Sequence, residues 1–145
     1  MHLRRPAVRL TQISVEPVCS RYTPNRYAQE MYDYEITAPD AALLLEESRK
    51  DPKLKPAVRL IDVREPWEYQ TAHIEGSTLI PMGEFPSRAH QELDPDERLL
   101  ILCHHGARSL SVTNWLRQQG YDAAQSIAGG IESWSWHVDT TVPRY

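Results

Sequence analysis

The chain has 145 residues, of which 41% are hydrophobic and 25% charged, and a formal net charge of −4. That length suits one domain with an ordinary core, and the composition is that of a globular protein rather than a disordered or membrane-embedded one. The acidic balance argues against a nucleic-acid partner without excluding a local positive pocket, and no run approaches the roughly 18 consecutive apolar residues of a membrane span.

Residues 1 to 33 show no clear period, carry Pro6, Pro17 and Pro24, and hold tyrosines at Tyr22, Tyr27 and Tyr32. They read as an N-terminal arm of unknown role, an extension lying along the surface of a domain that occupies residues 34–145. The basic start, Met1 to Leu10, is followed by Thr11 and Gln12 with no apolar run, so it does not read as a secretory signal. Two cysteines, Cys19 and Cys103, cannot make a disulfide framework. A lone reactive thiol fits a reducing compartment, and a cytoplasmic location is the expectation; Cys19 reads by default as an idle thiol.

From Glu35 the pattern becomes regular. Thr37 is a plausible N-cap, with Pro39 and Asp40 in the first turn of a helix through Ala41, Leu43, Leu44 and Leu45 that ends by Pro52 and Pro56. Ala57 to Val63 reads as a largely buried strand, apolar but for Arg59 and Asp62. A short helix follows around Pro66 to Tyr69, then Gly76 and a strand through Thr78, Leu79 and Ile80. A helical turn or two spans Phe85 to Leu93, and Asp94-Pro95-Asp96 punctuates before the strand Arg98 to Leu102.

Ser109 to Gln119 reads as a helix with Leu110, Val112, Trp115 and Leu116 on its apolar face and Gly120 at its C-terminal cap. Ala123 to Ile127 reads as a short strand, and Gly129-Gly130 turns into a final helix bearing Ile131 and Trp134. Strands alternating with helices predict an α/β domain with a mainly parallel sheet and an active edge at the carboxyl ends of its strands. Trp67, Trp115 and Trp134 read as core or cap aromatics, Trp136 and His137 as outward-facing.

The strand Arg98 to Leu102 delivers Cys103 to that edge. His104 and His105 bring imidazoles, Gly106 permits a left-handed backbone, Ala107 adds little bulk, Arg108 supplies a permanent charge in a planar fork, and Ser109 can cap the next helix or hydrogen-bond the sulfur. Such a loop can curl its amides around the sulfur as an anion nest, and a cysteine there ionises more easily and becomes a nucleophile. Zinc would need more than three consecutive residues, Cys103, His104 and His105, and no spaced second pair of ligands exists, so no metal site is read. Asp62 and Arg64 should lie near the loop in a supporting role, as a surface ion pair that fixes the turn; His73 and Glu75 should hold the turn from Ala72 to Ser77.

Four linked motifs resemble one family. Leu60-Ile61-Asp62-Val63-Arg64-Glu65 with Trp67-Glu68-Tyr69, Ala72-His73-Ile74-Glu75-Gly76-Ser77 leading to Ile80-Pro81, Cys103 to Ser109, and Gly129-Gly130-Ile131 with Trp134 follow the order and spacing of the rhodanese-like sulfurtransferases. The resemblance covers roughly residues 35 to 138 and leaves the arm outside it. It implies a mainly parallel sheet of about five strands flanked by helices on both faces. It also implies a Cys103 that takes a sulfane sulfur from a donor such as thiosulfate as a persulfide and passes it to cyanide or a thiol. The loop amides from His104 to Ser109, with Arg108, would hold the donor's anionic part. No cofactor is implied, because the persulfide is itself the carrier.

Two other readings accompany this one. A sulfur-carrier or interaction module would serve one protein partner through the same thiol. A cysteine phosphatase or arsenate reductase is disfavoured by loop length, since four residues separate Cys103 from Arg108 where the phosphatase loop has five.

Overall fold

Alternating apolar strands and amphipathic helices produce here a single sheet. The computed structural model describes residues 32–145; the expectations for the arm and for Cys19 therefore lie outside the described residues, apart from Tyr32 and Asp33. The strands are β1 (Glu35–Ile36), β2 (Val58–Asp62), β3 (Thr78–Leu79), β4 (Arg98–Leu102) and β5 (Ala124–Ile127). They are all parallel and lie in the order β1-β5-β4-β2-β3. The helices are α1 (Ala38–Lys50), α2 (Pro66–Thr71), α3 (Phe85–Glu92), α4 (Ala107–Gln118) and α5 (Gly130–His137), with a 3₁₀ turn at Met82–Glu84.

Side-chain alternation along the central strands divides the core into two layers. Ile61, Leu99, Ile101 and Ala124 face Phe85 and Ala89 of α3 and Val112 and Leu116 of α4. Leu60, Leu100, Leu102 and Ile127 face Ala38 and Ala41 of α1 and Ile131 and Trp134 of α5. β2 and β4 are in register from Val58 opposite Arg98 to Asp62 opposite Leu102, so both chains leave the sheet at the same edge. No helix among the described residues is long and apolar enough to cross a membrane.

Thr37 caps α1 as expected, its hydroxyl accepting the N–H of Asp40 at 3.2 Å. Two aspects differ from the sequence reading. Trp67 is not a core aromatic; it is 62% exposed, because α2 is one and a half turns long and its buried face is taken by Glu68. The strand β1 was not anticipated: two residues are too few to show a period, and their pairing is decided by β5.

The residues leading into β1 are held by Arg117, buried in the last turn of α4. Its guanidinium donates to the carbonyls of Ala124 at 2.9 Å, Tyr32 at 2.9 Å and Asp33 at 2.8 Å, and the ring of Tyr34 lies 4.1 Å from its Cζ. Burial pushes this guanidinium below its usual range, although Tyr34, Asp122 and Asp33 oppose the shift. Replacing Arg117 by Met removes donors to three carbonyls, and we expect a stability loss of roughly 2–3 kcal/mol in urea denaturation, with β1 the first segment to lose hydrogen-exchange protection.

Candidate active site

Because every strand is parallel, the residues just beyond β2, β4 and β5 collect at one edge. Cys103 follows β4, 1% exposed and packed into the layer beneath α3 and α4. Its Sγ accepts the N–H of Gly106 at 3.0 Å and lies 3.2 Å from Oγ of Ser109. Gly106 sits at φ 106°, a conformation that L side chains rarely adopt, and it begins α4 immediately. Ser109 therefore stands in the first turn of α4, bonded to the sulfur rather than capping the helix.

Ser109 Oγ also donates to the carbonyl of Gly106 at 3.1 Å and lies 2.7 Å from Oγ of Ser126 on β5. A hydroxyl has one proton and two lone pairs. With a protonated thiol, Cys103 donates to Ser109. With a thiolate, Ser109 turns its proton to the sulfur and Ser126 supplies a donor to Ser109. Both hydroxyls are fully buried, so the pair accommodates either state of the sulfur without water.

The back of the loop is fastened to α5. The carbonyl of Cys103 accepts the N–H of Ile131 at 2.8 Å and that of His104 accepts the N–H of Glu132 at 3.2 Å, which satisfies two first-turn donors of that helix. This approach needs Gly130. A Cβ there would stand 2.4 Å from both carbonyl oxygens, and φ is +60°.

The charged groups form a second network. Asp62 and Arg64 are an ion pair, not at the surface as expected but fully buried. Nε and Nη2 of Arg64 donate to the Asp62 carboxylate, Nη2 also to the carbonyl of Ala72 at 2.7 Å, and Nη1 to the Tyr145 hydroxyl at 2.8 Å. Burial opposes the Arg64 charge, but the bonds to Asp62 and Tyr145 outweigh it and hold the guanidinium above its usual range.

Arg108 donates through both terminal nitrogens to Glu68, at 2.8 Å each. The same carboxylate accepts the N–H of Glu65 at 2.8 Å and the hydroxyl of Tyr145 at 2.9 Å. Chiefly through the Arg108 bonds, its pKa is held at about 2. Arg108 is raised correspondingly, first by Glu68, and the nearby Cys103 adds to that shift.

His104 lies between the rings of His105 at 3.9 Å and Tyr145 at 4.1 Å. Burial pushes its imidazole down, which keeps it neutral at pH 7.

Of the residues singled out from sequence, Cys103, Gly106 and Ser109 converge on the sulfur. Arg108 faces Glu68, His104 is stacked beneath Tyr145, and His105 and Ala107 are exposed. Asp62 and Arg64 connect to the loop through Tyr145 and Glu68. His73 stacks on Tyr69 with ring centroids 4.4 Å apart, and its Nδ1 lies 3.1 Å from the Tyr69 carbonyl, consistent with holding the turn after α2.

Three residues of the site were not singled out. Glu68 carried a signal, an acid at the third position of a proline-started helix. Ser126, a hydroxyl within the short strand read over Ala123 to Ile127, carried a weaker one. Tyr145 carried none. Among the described residues no three of His, Cys, Asp and Glu are grouped so as to hold a metal ion.

The fold and this loop define a parallel α/β domain built around a strand-end thiol. The family model of the rhodanese-like domain matches residues 41–137, and the chain belongs to the rhodanese-like domain family. It is 36% identical over 104 residues to the rhodanese-like/PpiC domain-containing protein 12, chloroplastic, of Arabidopsis thaliana, covering 70% of this chain but only 35% of that protein. It is 34% identical over 79 residues to the thiosulfate sulfurtransferase GlpE of Tolumonas auensis, covering 54% of this chain and 74% of the relative. The human single-domain sulfurtransferase TSTD1 superposes with a TM-score of 0.60 at 26% identity, covering 73% of this chain and 98% of that one.

Two outcomes test this geometry. Gly130→Ala should cost roughly 2 kcal/mol or more, since backbone must move to admit the Cβ, read as a drop in the urea midpoint. The second concerns acid. A carboxyl held at about 2 in the folded state against 4.5 ordinarily contributes stability that is complete above pH 4.5 and lost as pH falls toward 2. The stability difference between wild type and Glu68→Gln should therefore be full at pH 7 and shrink across that window; a gap that does not change with pH contradicts the assignment.

Proposed function

We propose that the protein is a rhodanese-type sulfurtransferase in which Cys103 carries a sulfane sulfur from a donor such as thiosulfate to a thiophilic acceptor such as cyanide or a thiol. The observation that supports this reading best is the sulfur's surroundings: Gly106 N–H at 3.0 Å and Ser109 Oγ at 3.2 Å, both aimed at Sγ, where the negative charge of the attacking and departing thiolate resides. Similarity to a thiosulfate sulfurtransferase and to a single-domain sulfurtransferase supports it in kind.

In the first half-reaction the Cys103 thiolate attacks the outer sulfur of thiosulfate. The new S–S bond forms as the old one breaks, and sulfite leaves with the electron pair. In the second, cyanide attacks the terminal sulfur, thiocyanate leaves, and the thiolate is restored. No electron or proton is needed from elsewhere, so a cofactor has no step to perform. Ser109 and Ser126 re-aim their protons as charge moves from Sγ to the outer sulfur and back. A free thiolate as carrier fits a reducing compartment such as the cytoplasm.

Mass spectrometry after incubation with thiosulfate checks the reading. Wild type should gain one sulfur, about 32 Da, that a thiol reductant removes, and Cys103→Ser should gain none. No gain by the wild type from thiosulfate or glutathione persulfide, or an equal gain by Cys103→Ser, contradicts it; loading only from a protein persulfide would instead favour a carrier serving one partner.

A further inference from the structure

The Arg108 fork, five donors in a plane suited to an oxyanion, is engaged within the chain itself through one donor of each terminal nitrogen. Both terminal nitrogens are on Glu68, and Glu68 is fastened independently by the Glu65 N–H and the Tyr145 hydroxyl. Tyr145 is fixed in turn by Arg64 and by its stack on His104. The second cation near the loop, Arg64, is matched by Asp62. His104 is kept neutral by burial, and a further carboxylate, Glu132, lies close enough to act on its ring. Arg108, the arginine near Cys103, and Arg64, which reaches the loop through Tyr145, are thus each opposed by a carboxylate.

We infer that Glu68 determines the charge class of sulfur donor that Cys103 accepts: by engaging Arg108 it favours donors with little charge beside the reacting sulfur, such as persulfides of thiols, over compact dianions such as thiosulfate. This rests on the sulfurtransferase reading above for the word donor; the charge selectivity of the site does not. With a persulfide in its protonated form, R–S–SH, the Cys103 thiolate attacks the outer sulfur, which keeps its proton; the S–S bond of the donor breaks, and a thiolate leaves with the electron pair. The departing charge is then one rather than the two of sulfite, and it needs no arginine.

Two alkylating agents of nearly equal size, iodoacetate and iodoacetamide, differ in charge and report on Cys103 whether or not sulfur is ever transferred. The rate constants for modification of Cys103, read by mass spectrometry, give an anion-to-neutral ratio. In wild type this ratio should be no larger than that of N-acetylcysteine amide measured alongside. Glu68→Gln releases Arg108 toward the sulfur and should raise the ratio on the order of tenfold, while Glu68→Asp, which keeps the carboxylate, should leave it near the wild-type value. The relative rate of loading from thiosulfate against glutathione persulfide should rise with it.

A wild-type ratio several-fold above the small thiol, which needs no variant to fold, overturns the inference. So does an unchanged ratio in folded Glu68→Gln. Should no donor load Cys103 at all, the sulfurtransferase reading fails while the alkylation ratios still decide the selectivity.

Discussion

One carboxylate, that of Glu68, ties together the pieces from which the site is made. It accepts four hydrogen bonds, from Glu65, twice from Arg108 and from Tyr145, which is about the full capacity of the group. Those donors belong to the start of α2, the start of α4 and residue 145. A buried carboxylate with fewer partners would be expensive; with four it is stable as the anion and becomes a fixed reference for everything around it. The orientation of Arg108, the seat of Tyr145, and through Tyr145 the stack on His104 and the last bond of Arg64 all follow from it.

The thiol is held by a different means. Backbone places it: the parallel register brings β4 to the edge, a left-handed Gly106 turns the chain into α4, and Gly130 lets α5 bind the loop carbonyls from behind. The two systems, backbone around sulfur and side chains around Glu68, meet at Arg108 and Ser109, adjacent residues on opposite duties. Arg108 reaches outward to the carboxylate while Ser109 reaches inward to the sulfur and to Ser126. A substitution can therefore disturb the charge around the thiol without disturbing its hydrogen bonds, and the reverse.

The strand-helix alternation and the four motifs were legible without coordinates because they depend on local chemistry. Thr37 caps α1 through a bond to its own near neighbour, and Arg98 to Leu102 is a strand because four consecutive apolar residues, Leu99 to Leu102, between turn signals have few alternatives. Trp67 and Asp62–Arg64 were misread for a common reason. Whether an aromatic is buried, or an ion pair is solvated, depends on what lies above it. A buried acid took the inner face of α2 and left Trp67 outside, while Tyr145 and the carbonyls of Ala72 and Glu68 enclosed Arg64.

The sequence by itself determined the family, the succession of helices and of every strand but β1, and the thiol at a strand end, since each is encoded in contiguous residues whose spacing and type are readable in place. Only the tertiary structure decided how the charges are matched. Arg108 and Glu68 are 40 residues apart, and Tyr145 and Arg64 81 apart, and no spacing rule connects such pairs. An arginine beside a cysteine looks like a free anion-binding group in one dimension; in three it has a carboxylate across from it, because the fold brings the start of α2 to the start of α4.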